Sequence, residues 1–305
     1  MSDGAQGPAF DPGTLDLDAL LVEPGSAPRL GKRRTRLDLE LDKRVAREAL
    51  QATVAEIAPL QERLYARGTN AVLLVFQAQD AAGKDSTIAH VLSGVNPQGC
   101  AVTSFKPPTA DELAHDFLWR VGQALPARGH IGVFNRSHYE ETVVVRVHPE
   151  LLEPQHLPGL RDDPSSRKEL WTQRYEDINA FERHLDRNGT IVVKFFLHVS
   201  KDEQRKRLLA RLDNPAKHWK FNAADLSERE RWSDYMKAYE DTLTNTSTAW
   251  APWRVIPADD KSVMRLLVAQ VLLETLQDVE LVPPTPTRDE QAAIDEARTQ
   301  LLSED

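Results

Sequence analysis

The chain has 305 residues, 41% hydrophobic and 28% charged, the balance of a globular protein with room for a substantial core. No run approaches the roughly 20 apolar residues of a membrane helix, and one cysteine, Cys100, excludes an internal disulfide and a thiolate metal cluster. A net charge of −9 argues against a general nucleic-acid binder, and the absence of a basic-then-apolar amino terminus makes the cytoplasm the expected compartment.

Residues 1–36 are rich in Gly, Pro and Asp and carry no sustained period, which predicts an extended arm, ordered only if it packs on something. Arg29, Lys32, Arg33, Arg34 and Arg36 make it locally basic. From Leu41 an apolar stripe (Leu41, Val45, Ala49, Ala52, Ile57, Leu60, Leu64) predicts a helix that Pro59 should bend or interrupt. Short apolar runs at 71–77, 99–105, 130–134, 190–196 and 253–257 read as strands. Helical patterns stand between them at 84–93, 109–125, 166–187, 201–212, 225–246 and 260–279. That alternation predicts a parallel sheet covered on both faces. Residues 37–282 form a single domain, and 283–305, opening on Pro283, Pro284 and Pro286, form an acidic surface tail. In the 225–246 helix, Trp232, Tyr235, Met236, Tyr239 and Leu243 make an aromatic stripe suited to a core or a subunit interface.

The first strand runs into Ala78-Gln79-Asp80-Ala81-Ala82-Gly83-Lys84-Asp85-Ser86-Thr87. Gly83 and Lys84 match the phosphate-binding rule G-x-x-x-x-G-K-[ST], while Ala78 replaces its first Gly and Asp85 its hydroxyl residue. The context is the favourable one, a buried strand feeding a helix amino terminus whose free N–H groups attract phosphate. Ala81, Ala82, Gly83, Asp85 and Ser86 would then line the phosphates and Lys84 would supply a point charge. Asp80, a carboxylate among phosphates, needs an intervening cation and is assigned to magnesium or to the phosphoryl acceptor. After the 130–134 strand come Asn135 and Arg136. The first is a candidate oxygen ligand for the metal, though weaker than Asp, and the second a bidentate phosphate clamp. The basic stretch 205–220 suits a lid that screens developing charge, with Arg207 and Arg211 on one helix face. A solvated surface helix is the plainer account of that stretch taken alone. Histidine spacing suggests no metal set, and no G-x-S-x-G or G-x-G-x-x-G is present.

Four segments, QAQDAAGKDST (77–87), SFKPPTADELAHDFLWR (104–120), FNRSHYEETVVVRVHPE (134–150) and 206–241, together resemble the polyphosphate kinase 2 family. The resemblance covers about residues 30–280. It implies a P-loop kinase-like three-layer α/β/α fold with a central parallel sheet and a helical lid near 205–225. It further implies magnesium-dependent transfer (manganese as a substitute) of the terminal phosphoryl group of inorganic polyphosphate to AMP, ADP or both, with no covalent enzyme intermediate. Adenine and guanine nucleotides are the implied acceptors, and a homodimer or homotetramer the implied assembly. By the same resemblance Asp80, Lys84, Arg136 and Arg211 are catalytic. Lys106 and Arg120 belong to a basic polyphosphate channel, Asn135, Arg146 and Arg207 contact phosphate, and Glu140 and Glu141 lie on the nucleotide side. Family members commonly have Asp where this chain has Asn135, and Gly where it has Ala78. Two other readings remain open at this point: an ATP-dependent nucleoside monophosphate kinase and a non-catalytic nucleotide-binding protein.

Overall fold

The computed structural model describes residues 10–39, 41–282 and 285–304; residues 1–9 of the arm, and Pro283 and Pro284 of the tail, lie outside the described residues. All five expected strands are present: β1 (Ala71–Ala78), β2 (Cys100–Ser104), β3 (Ile131–Asn135), β4 (Thr190–His198) and β5 (Trp253–Pro257). They form one parallel sheet in the order β2-β3-β1-β4-β5, with Val72 opposite Ile131 on one side and Ile191 on the other. The crossovers reverse direction around β1, so the carboxyl ends of β1, β3 and β4 frame the crevice where such sheets bind ligands.

Alternation along the strands builds two cores. Val72, Leu74 and Phe76 of β1 point with Val193, Phe195 and Leu197 of β4 towards α1 (Lys43–Arg67), α2 (Lys84–Val91) and α10 (Lys261–Asp278). Leu73 and Val75, with Val192 and Phe196, point to the other face. There they meet α5 (Glu140–Val147), α6 (Pro164–Arg187) and α9 (Trp232–Thr246). The result is the expected three-layer α/β/α arrangement. The carboxylate of Asp42 caps α1 by accepting from the N–H groups of Arg44 and Val45. The helix is not interrupted at Pro59, because a long buried stripe from Ala46 to Leu64 holds it on the sheet.

Three helix expectations change. The 109–125 pattern divides into α3 (Ala110–Leu113) and α4 (Trp119–Gln123), where the Asp116 carboxylate takes the N–H of Leu118 in a local turn. The 225–246 pattern divides at Arg231 into α8 (Ala224–Glu230) and α9. α5 was not expected at all, since its valine run lowers helix propensity. Beyond β4 come α7 (Lys201–Leu212), a 3-10 turn (Pro215–Lys220) and α8, which span the lid segment. In the tail, α11 (Arg288–Leu302) is exposed throughout.

The described part of the arm is not loose. Leu21 bridges Arg254 at the β5 edge, Val22 N–H donates to Trp253, and Leu20, Val22 and Leu30 are buried. Arg33, from the basic cluster, points inward and donates to the carbonyls of Ala19, Leu20, Leu21 and Pro28. The arm thus shields a sheet edge that would otherwise offer free backbone groups. The aromatic stripe of α9 is chiefly core: Tyr235, Tyr239 and Leu243 are buried in the second cluster.

Candidate active site

The loop after β1 is shaped by two unusual backbone conformations. Gly83 (φ 113°) serves as the cap of α2, and a β-carbon there would lie 3.1 Å from the Met264 methyl group. Ala81 also has positive φ, 59°, a strained state that the surroundings must hold in place. They do so through Arg207 of α7, whose guanidinium donates to the carbonyls of Ala81 (3.3 Å), Ala82 (2.6 Å), Ala258 (2.6 Å) and Asp259 (3.1 Å), while its Nε donates to Glu203 (2.9 Å). Gln204 adds a bond to the Asp80 carbonyl at 3.0 Å. Arg207 therefore braces the loop from behind, a different place from the phosphate contact expected of it.

Lys84 begins α2 and donates its ammonium to the Ala78 carbonyl at 2.8 Å, so it lies across the mouth of the loop. Burial lowers its pKa, and Arg136 lowers it further against the pull of Asp80, Glu140 and Asp85. Arg136 (φ 63°) stands at the end of β3 and reaches Asp80 at 3.1 Å and Glu140 at 3.4 Å. The Glu140 carboxyl is pushed above its ordinary pKa by burial, only partly offset by Arg136 and Lys84. Four of the expected residues, Asp80, Lys84, Arg136 and Glu140, thus form one alternating-charge floor at the carboxyl ends of β1 and β3. Two cations there face two carboxylates, an arrangement that an incoming phosphate and its counter-ion can exchange with.

Asn135 gives its side-chain N–H to Asp85 at 2.8 Å and to Ser104 at 3.5 Å, so its amide faces a carboxylate nitrogen-first. Arg211 pairs with Asp225 of α8 at 2.9 Å, closing the lid segment on itself. Burial raises the pKa of Asp225, and the charge of Asp80 raises it further. Lys106 is exposed beside β2. Arg120 is buried, with its guanidinium on the Lys106 carbonyl at 2.8 Å and over the Phe105 ring. Arg146 bonds Tyr175 at 2.6 Å and Asp241, and Glu141 pairs with Arg174 at 2.6 Å inside the α5–α6 packing. Arg120, Arg146 and Glu141 therefore tie elements together and do not join the floor.

A protein-family model described as Polyphosphate kinase 2 matches residues 40–282. The chain belongs to the polyphosphate kinase 2 family. An ADP-polyphosphate phosphotransferase of Rhodopseudomonas palustris is 51% identical over 92% of this chain and 96% of its own length. An AMP/ADP-polyphosphate phosphotransferase of Meiothermus ruber is 48% identical over 80% and 86%. A crystal structure of polyphosphate kinase 2 from Arthrobacter aurescens superposes with a TM-score of 0.81 at 39% identity, covering 94% of this chain and 98% of that one. As a polyphosphate kinase 2, the chain has the α/β fold and the nucleotide-directed phosphotransferase class expected of it. Among the described residues no helix is long and apolar enough to cross a membrane.

The polyphosphate kinase 2 site has the donor chemistry for magnesium. Among the described residues no three His, Cys, Asp or Glu side chains gather as a closed metal set. Magnesium needs none, since one or two carboxylates, water and substrate phosphate oxygens complete its shell. Asp80, 35% exposed, is a carboxylate that could serve, and Asn135 holds Asp85 through its amide nitrogen. Two contributions escaped sequence reading: Gln204 and the inward brace of Arg207. The four-residue spacing of Glu203 and Arg207 was the available signal for the latter.

Proposed function

We propose that the chain transfers the terminal phosphoryl group of inorganic polyphosphate to AMP and ADP, forming ADP and ATP by direct in-line displacement. The observation that carries this is the floor of Lys84, Arg136, Asp80 and Glu140, with Arg211 on α7 paired to Asp225 in the lid segment. Lys84 and the N–H groups at the start of α2 hold the terminal phosphates of the donor. Arg136 leaves part of its pairing with Asp80 to grip the group in transit, and Arg211 exchanges Asp225 for the charge that develops on it. Magnesium, with manganese as a substitute, would bind through Asp80 and the phosphates; when bound it neutralises phosphate charge. Holding donor and acceptor in line can lower the barrier by about 7–11 kcal/mol, so positioning does most of the work. The names of the two relatives support both acceptors. A cytoplasmic homo-oligomer completes the reading.

The test supplies AMP and ADP separately, with magnesium and long-chain polyphosphate as the only donor, and follows nucleotides by chromatography. Product from both acceptors is expected; product from ADP alone would narrow the activity to diphosphates. Asp80→Asn should shift the magnesium titration to higher concentration, and an unchanged titration removes Asp80 from the metal site.

A further inference from the structure

Beneath the Asn135–Tyr139 turn lies a buried charge that the phosphate site does not touch. Lys194, in the middle of β4, is fully buried and donates to Glu182 Oε2 (2.6 Å), Tyr139 Oη (2.8 Å) and the Thr246 carbonyl (2.7 Å). Tyr139 donates its hydroxyl to Glu182 Oε1 at 2.6 Å, and His138 Nε2 stands 3.5 Å from the same oxygen. The Tyr139 and Trp253 rings lie 5.3 and 5.2 Å from the ammonium. A core position on a central strand is served at least as well by an apolar residue, because taking an ion pair out of water costs more than the pairing commonly returns. What the pair adds is direction. It fixes the hydroxyl of Tyr139, which sits one residue before Glu140 and three after Arg136.

The turn is pinned at its other points too. The Ser137 hydroxyl accepts from Gln77 Nε2 (3.1 Å) and from the Tyr139 N–H (3.2 Å), and the Arg136 N–H donates to Phe76 on β1 at 3.1 Å. Between those anchors Arg136 holds a φ of 63°, which a residue bearing a β-carbon abandons unless its neighbours forbid it. We propose that Lys194, Glu182 and Tyr139 are positioning residues for phosphoryl transfer, acting through the strand-end turn to keep Arg136 left-handed and its guanidinium aimed at Asp80. The proposal rests on reading Arg136 as a phosphate-binding residue.

A double-mutant cycle between Tyr139→Phe and Arg136→Lys tests it, with kcat and KM for polyphosphate measured alongside the melting temperature. Tyr139→Phe keeps the ring and leaves Lys194 with two acceptors. In the parent background it should lower kcat about tenfold with KM changed less than threefold, and in the Arg136→Lys background less than twofold. Equal losses in both backgrounds would overturn the proposal and leave the network a support of the fold alone. If Arg136→Lys itself leaves kcat and KM unchanged, the reading of Arg136 has failed instead. Should Tyr139→Phe not fold, Glu182→Gln, which keeps an acceptor for Tyr139 and Lys194 but removes the charge, carries the same cycle with the same expected coupling.

Discussion

The floor of the site and the lid segment above it carry the same residue types under opposite conditions. On the floor, Asp80 and Arg136 stand on short turns that leave buried strands, Lys84 and Glu140 open the helices that follow, and each has a protein partner within 3.4 Å. In the lid segment, Leu209, Leu212, Trp219, Phe221 and Leu226 are between 40% and 78% exposed, and Arg211 is joined to Asp225 of the same segment. The floor is set by the folding of the sheet, whereas the lid has little core of its own and belongs to the low-stability end of the molecule. Charge alone therefore does not mark a catalytic residue. Arg207 and Arg211 lie one turn apart on α7, yet the first braces the loop behind the floor and the second pairs with Asp225 in the lid segment.

Substitutions in the floor and in the lid segment separate their roles. The largest effect is expected from Lys84→Ala, which removes the floor's phosphate charge and should lower turnover about 10³-fold or more with the melting temperature nearly unchanged. Arg211→Ala should lower kcat by about 10²–10³-fold while KM for polyphosphate moves little, because its charge matters most as the phosphoryl group moves. Full turnover in that variant would remove the lid from the chemistry. Arg207→Lys should lower activity about tenfold and also lower the melting temperature by a few degrees, since an ammonium cannot reach four carbonyls as a guanidinium fork does. A purely catalytic loss there would mean that Arg207 meets phosphate after all.

The smallest effect is a pH signature. Burial raises the Glu140 pKa and lowers that of Lys84. The kcat/KM profile of the free enzyme should therefore fall on the acid side above the ordinary carboxylate range and on the basic side below the ordinary lysine range. Glu140→Gln should remove the acid limb. Because the raised pKa means that ionised Glu140 opposes folding, its contribution favours the fold at low pH and is lost as pH rises through that pKa. Glu140→Gln should accordingly raise the melting temperature at neutral pH and not at pH 3; a fall at neutral pH would show that the pairing with Arg136 outweighs burial.

Strand order aside, the fold could be read from the chain because its signals are local: five apolar runs and the helices between them. The misses are places where tertiary packing overrode that code. α5 is helical despite its valines because it is clamped between α6 and α9, and the 109–125 pattern breaks where Asp116 captures a backbone N–H. For the candidate site, that Asp80, Lys84 and Arg136 come together was legible because a glycine-lysine pair after a strand and an arginine at a neighbouring strand end share the carboxyl edge of a parallel sheet. Arg120, Arg146, Arg207 and Glu141 were not separable from them, since residue type and spacing do not reveal whether a guanidinium or carboxylate meets a ligand or a neighbouring element. That depends on long-range contacts such as Arg207 to Ala258 and Glu141 to Arg174.

The most direct test compares the parent protein with Lys84→Ala, supplying ADP, magnesium and polyphosphate as the sole phosphoryl donor and measuring ATP. The parent should form ATP steadily, and the folded variant should form about 10³-fold less. Equal rates in both would contradict the role of the floor. No ATP from polyphosphate in the parent, with ADP formed instead when ATP and AMP are supplied, would contradict polyphosphate as the donor.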